Sequence, residues 1–325
     1  MIIAYLCEKK LKPEPITLDN QHELNAALWI DLLNPSKEEE SLVEKIIGLD
    51  IPTREEMQEI ELSSRLYKEN DVLFMTVTMV AKSDSSEPNS DAVTLILVGN
   101  KLITVRYIEP LSFELFISHL SKLPPESHNA ASLLIELLDT SIDRLADILE
   151  NVSRDLDSYS QIIFHPKINE KSPDKINYQK IFQGIGTSGE LNTKVQESLL
   201  TFNRLISFFG KRVSPKLDSD MESKLATLNK DIKSLKDHVN FLSNKVIFLL
   251  DATLGMVNIE QNNIIKIFSI AAVILLPPTL VASIYGMNFD FMPELKWHLG
   301  YPFSIMLMLI SALIPYTYFK KKKWL

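Results

Sequence analysis

Residues 266–290 read KIFSIAAVILLPPTLVASIYGMNFD and residues 298–320 read HLGYPFSIMLMLISALIPYTYFK. Between Lys266 and Asp290 no side chain carries a charge, and none does between His298 and Lys320. Each run exceeds the roughly 20 residues an α-helix needs to cross a hydrocarbon core about 30 Å thick. The two runs predict a membrane hairpin, followed at once by Lys320-Lys321-Lys322-Lys323. Lysines that close a span stay on the cytoplasmic side. Two spans return the chain to the side it left, so both termini are expected in the cytoplasm.

The rest of the chain reads as soluble protein. Of 325 residues, 46% are hydrophobic, a share that looks globular because a polar body dilutes two apolar spans. The net charge of −8 suits a protein that attracts cations. It argues against nucleic acid, whose binding needs clustered Lys and Arg. A single cysteine, Cys7, leaves no internal disulfide and no Cys-rich zinc site. His22, His119, His128, His165, His238 and His298 lack metal-ligand spacing, and no nucleophile or Gly-rich phosphate motif occurs. Neither an enzyme nor a resident cofactor is expected. Met1-Ile2-Ile3-Ala4-Tyr5 has no basic segment leading into an apolar core, so no signal peptide is expected and the hairpin should insert by itself.

Residues 1–125 mix strand and helix signals and predict an N-terminal α/β cytosolic unit with a small sheet. Trp29-Ile30-Asp31-Leu32-Leu33 is strand-like and closes at Asn34-Pro35. Ser36 with Glu39, and Thr53 with Glu56, are capping boxes, each side chain satisfying a free amide of a starting helix. Asp71 to Val80 is rich in β-branched and aromatic residues. Val93 to Val98, then Gly99-Asn100, then Leu102 to Val105 predicts a hairpin whose turn pair supplies positive φ. Residues 82–91 suggest an exposed loop.

From about Ser127 the periodicity becomes helical, and residues 126–216 predict a cytosolic helical hairpin. Leu133, Leu137, Thr140, Arg144, Ile148 and Val152 belong to one amphipathic stretch. Residues 165–189, with His165-Pro166, Ser172-Pro173 and three glycines, are expected to interrupt it. A second helix is expected from Glu190 to Gly210, broken by Ser214-Pro215.

Residues 217–285 predict one stalk helix continuous with the first span, which occupies about 264–285. Its length would be on the order of 100 Å at 1.5 Å per residue. Leu225, Leu228, Ile232, Leu235, Val239, Leu242, Val246 and Leu249 alternate steps of three and four, a heptad seam. Packing against a neighbouring helix would explain it; continuation into a membrane span favours symmetric self-association.

A second stripe runs along the same helix through Asp251, Gly255, Asn258, Asn262, Ile265, Ser269, Ala272, Leu276, Thr279, Ser283 and Gly286. Small and hydroxylated residues at this density occur where helices approach closely or where water lines a cavity. Several copies around an axis would place the stripe inside. Asp251 and Asn262 would then ring the mouth, and Ile265 and Leu276 would form an apolar constriction able to gate by dewetting. Pro277-Pro278 lies mid-span and permits a bend, with or without a gating role.

The outer loop, 286–299, begins with Gly286-Met287-Asn288. Gly286 permits close approach or a left-handed exit from the helix. Asn288 offers a neutral oxygen, which can hold a hydrated Mg²⁺ through its water shell without tight binding. Asp290 and Glu294 would concentrate cations outside. The second span is expected at 300–320 and a cytosolic basic tail at 321–325.

With these motifs the sequence resembles the CorA family of bacterial magnesium transporters over most of its length. The resemblance rests on Asn258-Ile259-Glu260-Gln261-Asn262, Leu276 to Ser283, Tyr285 to Phe289, Met292 to Trp297, Gly300-Tyr301-Pro302 and Lys320 to Leu325. Ile51-Pro52-Thr53-Arg54, with Glu61 and Arg65, is similar to the enterobacterial-type branch. The Gly-Met-Asn signature extends to zinc-transporting relatives, and the Pro293-Glu294-Leu295 loop narrows the reading toward magnesium.

The resemblance implies an α+β cytosolic domain, long helices and two C-terminal transmembrane helices, assembled as a funnel-shaped homopentamer in the bacterial inner membrane. It implies a selectivity ring of Gly286, Met287 and Asn288, with Asn262 needed for permeation. The pore would be lined by Asp251, Asn258, Asn262, Ile265, Ser269, Leu276, Thr279 and Ser283. Mg²⁺ would be both cargo and regulator, with Co²⁺ and Ni²⁺ as further candidate ions. The family senses intracellular Mg²⁺ through acids between neighbouring cytosolic domains. Here the best-known sensor position falls near Thr227, leaving Asp231 with Asp84 or Asp91 as candidates. Two alternatives stand beside this reading: a Zn²⁺ transporter of the related type, and a non-transporting membrane-anchored coiled-coil scaffold.

Overall fold

The computed structural model describes residues 1–7, 11–17, 19–85, 87–120, 129–165, 177–213, 219–288, 290, 292–322 and 324. These fall into two compact units, Met1–Leu250 and Asp251–Leu325. In the first unit seven strands form one sheet: β1 (Ile2–Cys7), β2 (Leu11–Pro15), β3 (Ala27–Leu33), β4 (Leu66–Glu69), β5 (Val72–Ala81), β6 (Asn89–Val98) and β7 (Lys101–Arg106). The spatial order is β2-β1-β3-β7-β6-β5-β4. Only β3 and β7 pair in parallel among the described strands; the other neighbours are antiparallel.

The middle strands are covered on both faces, which is why Ala27 to Leu32 are all buried without alternation. One face packs Ile30, Leu32, Ile96, Ile103 and Val105 against Val43 of α1 (Lys37–Ile47). The other face is aromatic. Trp29 stacks on Tyr5 at 4.0 Å and meets Phe113 and Phe116 of α4 (Leu111–Leu120). This second face buries a charge pair: Arg106 binds Asp31 through Nη2 at 2.7 Å and Nε at 3.1 Å. Thr104 Oγ1 donates to Asp31 at 2.6 Å, Trp29 Nε1 donates to Thr104, and the guanidinium lies 4.4 Å from the Phe113 ring centre. The lone pairs and protons of both ions are thus largely satisfied, the condition under which a buried pair is tolerated.

Both expected capping boxes form, at Ser36/Glu39 on α1 and at Thr53/Glu56 on α2 (Arg54–Met57). A short α3 (Leu62–Arg65) follows. The β6–β7 hairpin also forms, with Val98 opposite Lys101, but its turn differs from the expected one. Gly99 alone adopts positive φ (+56°). Asn100 instead turns its side chain to accept from the Ala130 amide at 3.0 Å. The turn with two consecutive left-handed residues is Asn70-Asp71, between β4 and β5. The loop expected over 82–91 is shorter, because Asn89 to Asp91 already pair with β5.

The cytosolic helices are α5 (Ala130–Phe164), α6 (Tyr178–Val213) and the first part of α7 (Ser219–Tyr285). The expected onset at Ser127 and breaks at Pro166, Ser172-Pro173 and Ser214-Pro215 lie outside the described residues. The Glu190–Gly210 helix expected from sequence begins twelve residues earlier, and Gly184, Gly186 and Gly189 sit inside it. They are contact glycines. A Cβ on Gly184 would collide with the Tyr159 hydroxyl of α5, and one on Gly189 would lie 3.1 Å from Val246 of α7. β4 covers only the first part of β5, and α6 covers the edge beyond it: Ser198 donates to the Thr78 carbonyl and Thr201 accepts from the Thr78 amide.

The heptad seam of α7 faces its own chain. Leu225, Leu228, Ile232, Val239, Leu242, Val246 and Leu249 are buried within the protomer. Asn192 of α6 donates to the Val239 carbonyl and to Ser243, while Lys245 and Lys224 of α7 pair with Asp157 and Glu136 of α5. The expectation of self-association through this seam is corrected. Its apolar side chains pack against α5 and α6 of the same chain, which removes them from any symmetric coiled coil.

The second unit is a helical hairpin made of the remainder of α7 and α8 (Gly300–Lys321). Both helices are long and apolar enough to cross a membrane. α7 remains helical through Pro277 and Pro278. The loop holds a 3₁₀ turn at Pro293–Lys296.

Candidate ion pathway and sensor residues

In the hairpin, the α7 side chains shielded from solvent are Lys266, Ile270, Ile274, Pro277, Pro278, Val281 and Tyr285. On α8 they are Ser304, Met308, Ser311, Ala312, Pro315 and Phe319. Each set follows helical spacing, as two helices meeting along one face of each require. At about 100° per residue, the polar stripe lies roughly 150° around α7 from this contact face. Asp251, Asn258, Asn262, Ile265, Ser269, Leu276, Thr279 and Ser283 are all exposed in the isolated protomer. The hairpin thus spends one face of α7 on α8 and leaves the face carrying amides, hydroxyls and small residues uncovered among the described residues.

Local chemistry on this face suits a hydrated cation. Thr279 Oγ1 donates to the Leu275 carbonyl at 2.8 Å. Its proton is thereby held on the helix, and its oxygen lone pairs stay available to water or to an ion. Pro277 and Pro278 have no amide to donate, which frees the carbonyls of Val273 and Ile274. Gly286 closes the helix with its amide on the Ala282 carbonyl at 3.0 Å. It does not take the left-handed φ allowed for at the sequence level; positive φ among the described glycines occurs at Gly48 and Gly99. An added Cβ would sit 3.2 Å from the Ala282 oxygen of the preceding turn of α7. Met287 and Asn288 follow, both exposed, and Phe289 lies outside the described residues. Asp290 and Glu294 are exposed and form no ion pair among the described residues.

The three candidate sensor acids occupy different surroundings. Asp91 accepts from Arg54 at 3.1 Å, from Gln58 at 3.2 Å and from the Ala92 amide at 2.8 Å. Burial opposes its charge, but these donors outweigh that and hold its carboxyl below the usual range. Asp84 binds Arg144 at 2.7 Å. Asp231 is exposed on α7 beside acids that sequence reasoning missed.

Asp139 and Asp143 of α5 both titrate above the normal carboxylate range. Burial is the main cause for Asp139, followed by Asp143, Glu136 and Asp231. For Asp143 it is burial, then Asp147 and Asp231. The signal was present in the spacing: Glu136, Asp139, Asp143 and Asp147 recur once per turn, and like charges so placed repel. No group of three or more His, Cys, Asp and Glu stands close enough to hold a metal ion within the protomer, among the described residues.

The CorA-like Mg²⁺ transporter family model matches residues 25–321. A magnesium transport protein CorA of Pectobacterium atrosepticum is 36% identical over 310 residues, covering 95% of this chain and 96% of its own length. The protein of that name from Salmonella typhimurium is 34% identical over 325 residues, covering all of both chains. Among solved structures, the complete CorA magnesium transporter of Methanocaldococcus jannaschii superposes with a TM-score of 0.71 at 18% identity, over 100% of this chain and 99% of that one. The last likeness establishes the fold.

Proposed function

The chain belongs to the CorA-like Mg²⁺ transporter family, and on that premise we propose that five copies enclose a pore in the bacterial inner membrane. Mg²⁺ enters through it down the membrane potential, with Co²⁺ and Ni²⁺ as further cargo. A divalent cation gains about 4.6 kcal/mol per 100 mV of inside-negative potential, twice the single-charge value, so no nucleotide is required. The observation that carries this reading is the exposed stripe from Asp251 to Ser283, opposite the α8 contact face and ending at Gly286-Met287-Asn288.

In the assembly Asn288 holds hydrated Mg²⁺ at the outer ring, with Gly286 giving room and Met287 shaping the rim. Asn262 and Asn258 offer amides nearer the cytosol, Ile265 and Leu276 form the apolar constriction, and Asp251 places a carboxylate ring below. Asp290 and Glu294 raise the cation concentration at the entrance. The cytosolic body closes the pore when Mg²⁺ is abundant, with Asp231, Asp84 and Asp91 as sensor candidates and Asp139 and Asp143 supporting Asp231.

Flux of Mg²⁺ and Zn²⁺ into proteoliposomes tests the proposal, with Asn288→Ala and Asn262→Ala alongside the native chain. Mg²⁺ uptake driven by an inside-negative potential should fall steeply in both variants. Undiminished flux in both would overturn the pore assignment, and preferential Zn²⁺ flux would overturn the cargo.

A further inference from the structure

At the cytosolic end of the hairpin, α7 and α8 bring cations and an indole together. Lys266 closes the charged part of α7 just before its uncharged run, and its Nζ lies 5.5 Å from the centre of the Trp324 ring. Trp324 stacks on Phe319 at 5.8 Å, and its amide donates to the Phe319 carbonyl at 3.1 Å, which holds the indole against the end of α8. Lys320 lies 5.9 Å from the Tyr316 ring, and Lys320, Lys321 and Lys322 are exposed. None of these four lysines forms an ion pair among the described residues. The nearest acid on α7 is Glu260, six residues before Lys266.

Four cations with no ion pair among the described residues, at one end of the hairpin, attract anions. The tryptophan beside the cations indicates the depth, because indole rings sit at the headgroup level. The anion fixed at that depth is the lipid phosphate. Basic pockets on the cytoplasmic side of transmembrane helices bind such headgroups.

We propose that Lys266, Lys320, Lys321, Lys322 and Trp324 form a binding site for the phosphate headgroup of an anionic phospholipid in the cytoplasmic leaflet. The site is not a general consequence of a basic tail. Lys266 comes from α7, Lys320 and Lys321 from the last turn of α8 and Lys322 from its C-cap, so one headgroup ties the inner ends of both helices. The aromatic rings keep the Lys266 and Lys320 ammonium groups near the surface while leaving their protons for phosphate oxygens.

The test uses full-length protein in vesicles of brominated phosphatidylglycerol or brominated phosphatidylcholine, reading quenching of tryptophan fluorescence. A Trp297→Phe background removes the outer-loop indole, and Trp324→Phe in that background identifies the quenched signal. Trp324 should prefer phosphatidylglycerol, and Lys266→Gln should reduce that preference about fivefold, the effect of one lysine near an anionic surface. Lys296→Gln, an equal charge change in the outer loop, should leave it intact. Equal quenching by both lipids, or full preference in Lys266→Gln, would overturn the site. Loss of preference when inorganic phosphate replaces chloride at equal ionic strength would overturn its assignment to lipid. These readouts do not depend on Mg²⁺ flux and stand or fall apart from the pore.

Discussion

Two pairs of residues show how context sets the worth of a charge. Asp31 and Arg106 are buried and bound to each other in bidentate fashion. Asp31→Asn keeps the shape but leaves the guanidinium without its counter-ion, and should cost about 3–5 kcal/mol in chemical denaturation of the full chain. Asp139 and Asp143 present the opposite case. Their carboxyls titrate high because burial and neighbouring acids disfavour the charged form. A raised pKa in the folded state contributes stability below the unfolded value and loses it as pH rises through the folded one. Asp139→Asn should therefore raise the melting temperature at pH 7, with the gain shrinking as pH falls toward 4. A gain that is constant across that range would mean that charge is not the cause. Added Mg²⁺ should narrow the same difference, since a cation relieves the same repulsion.

At the scale of elements, the glycines of α6 separate helix propensity from packing. Gly186 has nothing within 4 Å of an added Cβ, whereas Gly184 would meet the Tyr159 ring. Gly186→Ala should stabilise by about 1 kcal/mol, the ordinary helix preference of alanine over glycine. Gly184→Ala gains the same preference but overpacks a fixed aromatic contact, which costs about 1–3 kcal/mol, and should destabilise on balance. Thermal melts of the two variants, run together, decide whether these glycines break or pack the helix. The seam of α7 makes a similar point. Ile232 is fully buried, so Ile232→Ala should cost about 2–5 kcal/mol. The loss belongs to packing within one chain, and it should be unaffected by dilution of the protein; a concentration-dependent loss would restore self-association through the seam.

For the whole molecule, what matters is which surface the protomer leaves uncovered. Its polar α7 stripe is exposed along its length, and an array of copies is needed to turn that face into a water-filled path. Asp290 and Glu294 belong to this scale, because at the mouth of the proposed pore their carboxylates would act through the summed field of all copies. Asp290→Asn with Glu294→Gln should reduce Mg²⁺ uptake several-fold at low external Mg²⁺ and low salt. At high salt the reduction should vanish, since at about 1 M ionic strength the field is screened within roughly 3 Å. Uptake unchanged at low salt would remove these two residues from the entrance.

The membrane hairpin, the long α7, both capping boxes and the β6–β7 hairpin were legible in the sequence. Each rests on local rules: absence of charge over a span, periodicity of three and four, and a side chain that reaches its own backbone amide. The polar stripe was legible for the same reason, as was the Gly286-Met287-Asn288 turn between two spans. Tertiary structure alone decided the rest. Whether a glycine breaks a helix or lets two helices touch depends on Tyr159 and Val246, which come from other helices. Whether a heptad seam faces another copy or its own chain depends on α5 and α6. The acid row of α5 was readable in its spacing, but its coupling to Asp231 became visible only once α5 was placed against α7. Where a segment satisfies its own hydrogen bonds and its balance of charge and apolar surface is one-sided, local sequence decides its conformation. Only packing between distant segments determines which side chains lose water to each other, and that loss sets the roles of Gly184, Ile232 and Asp139.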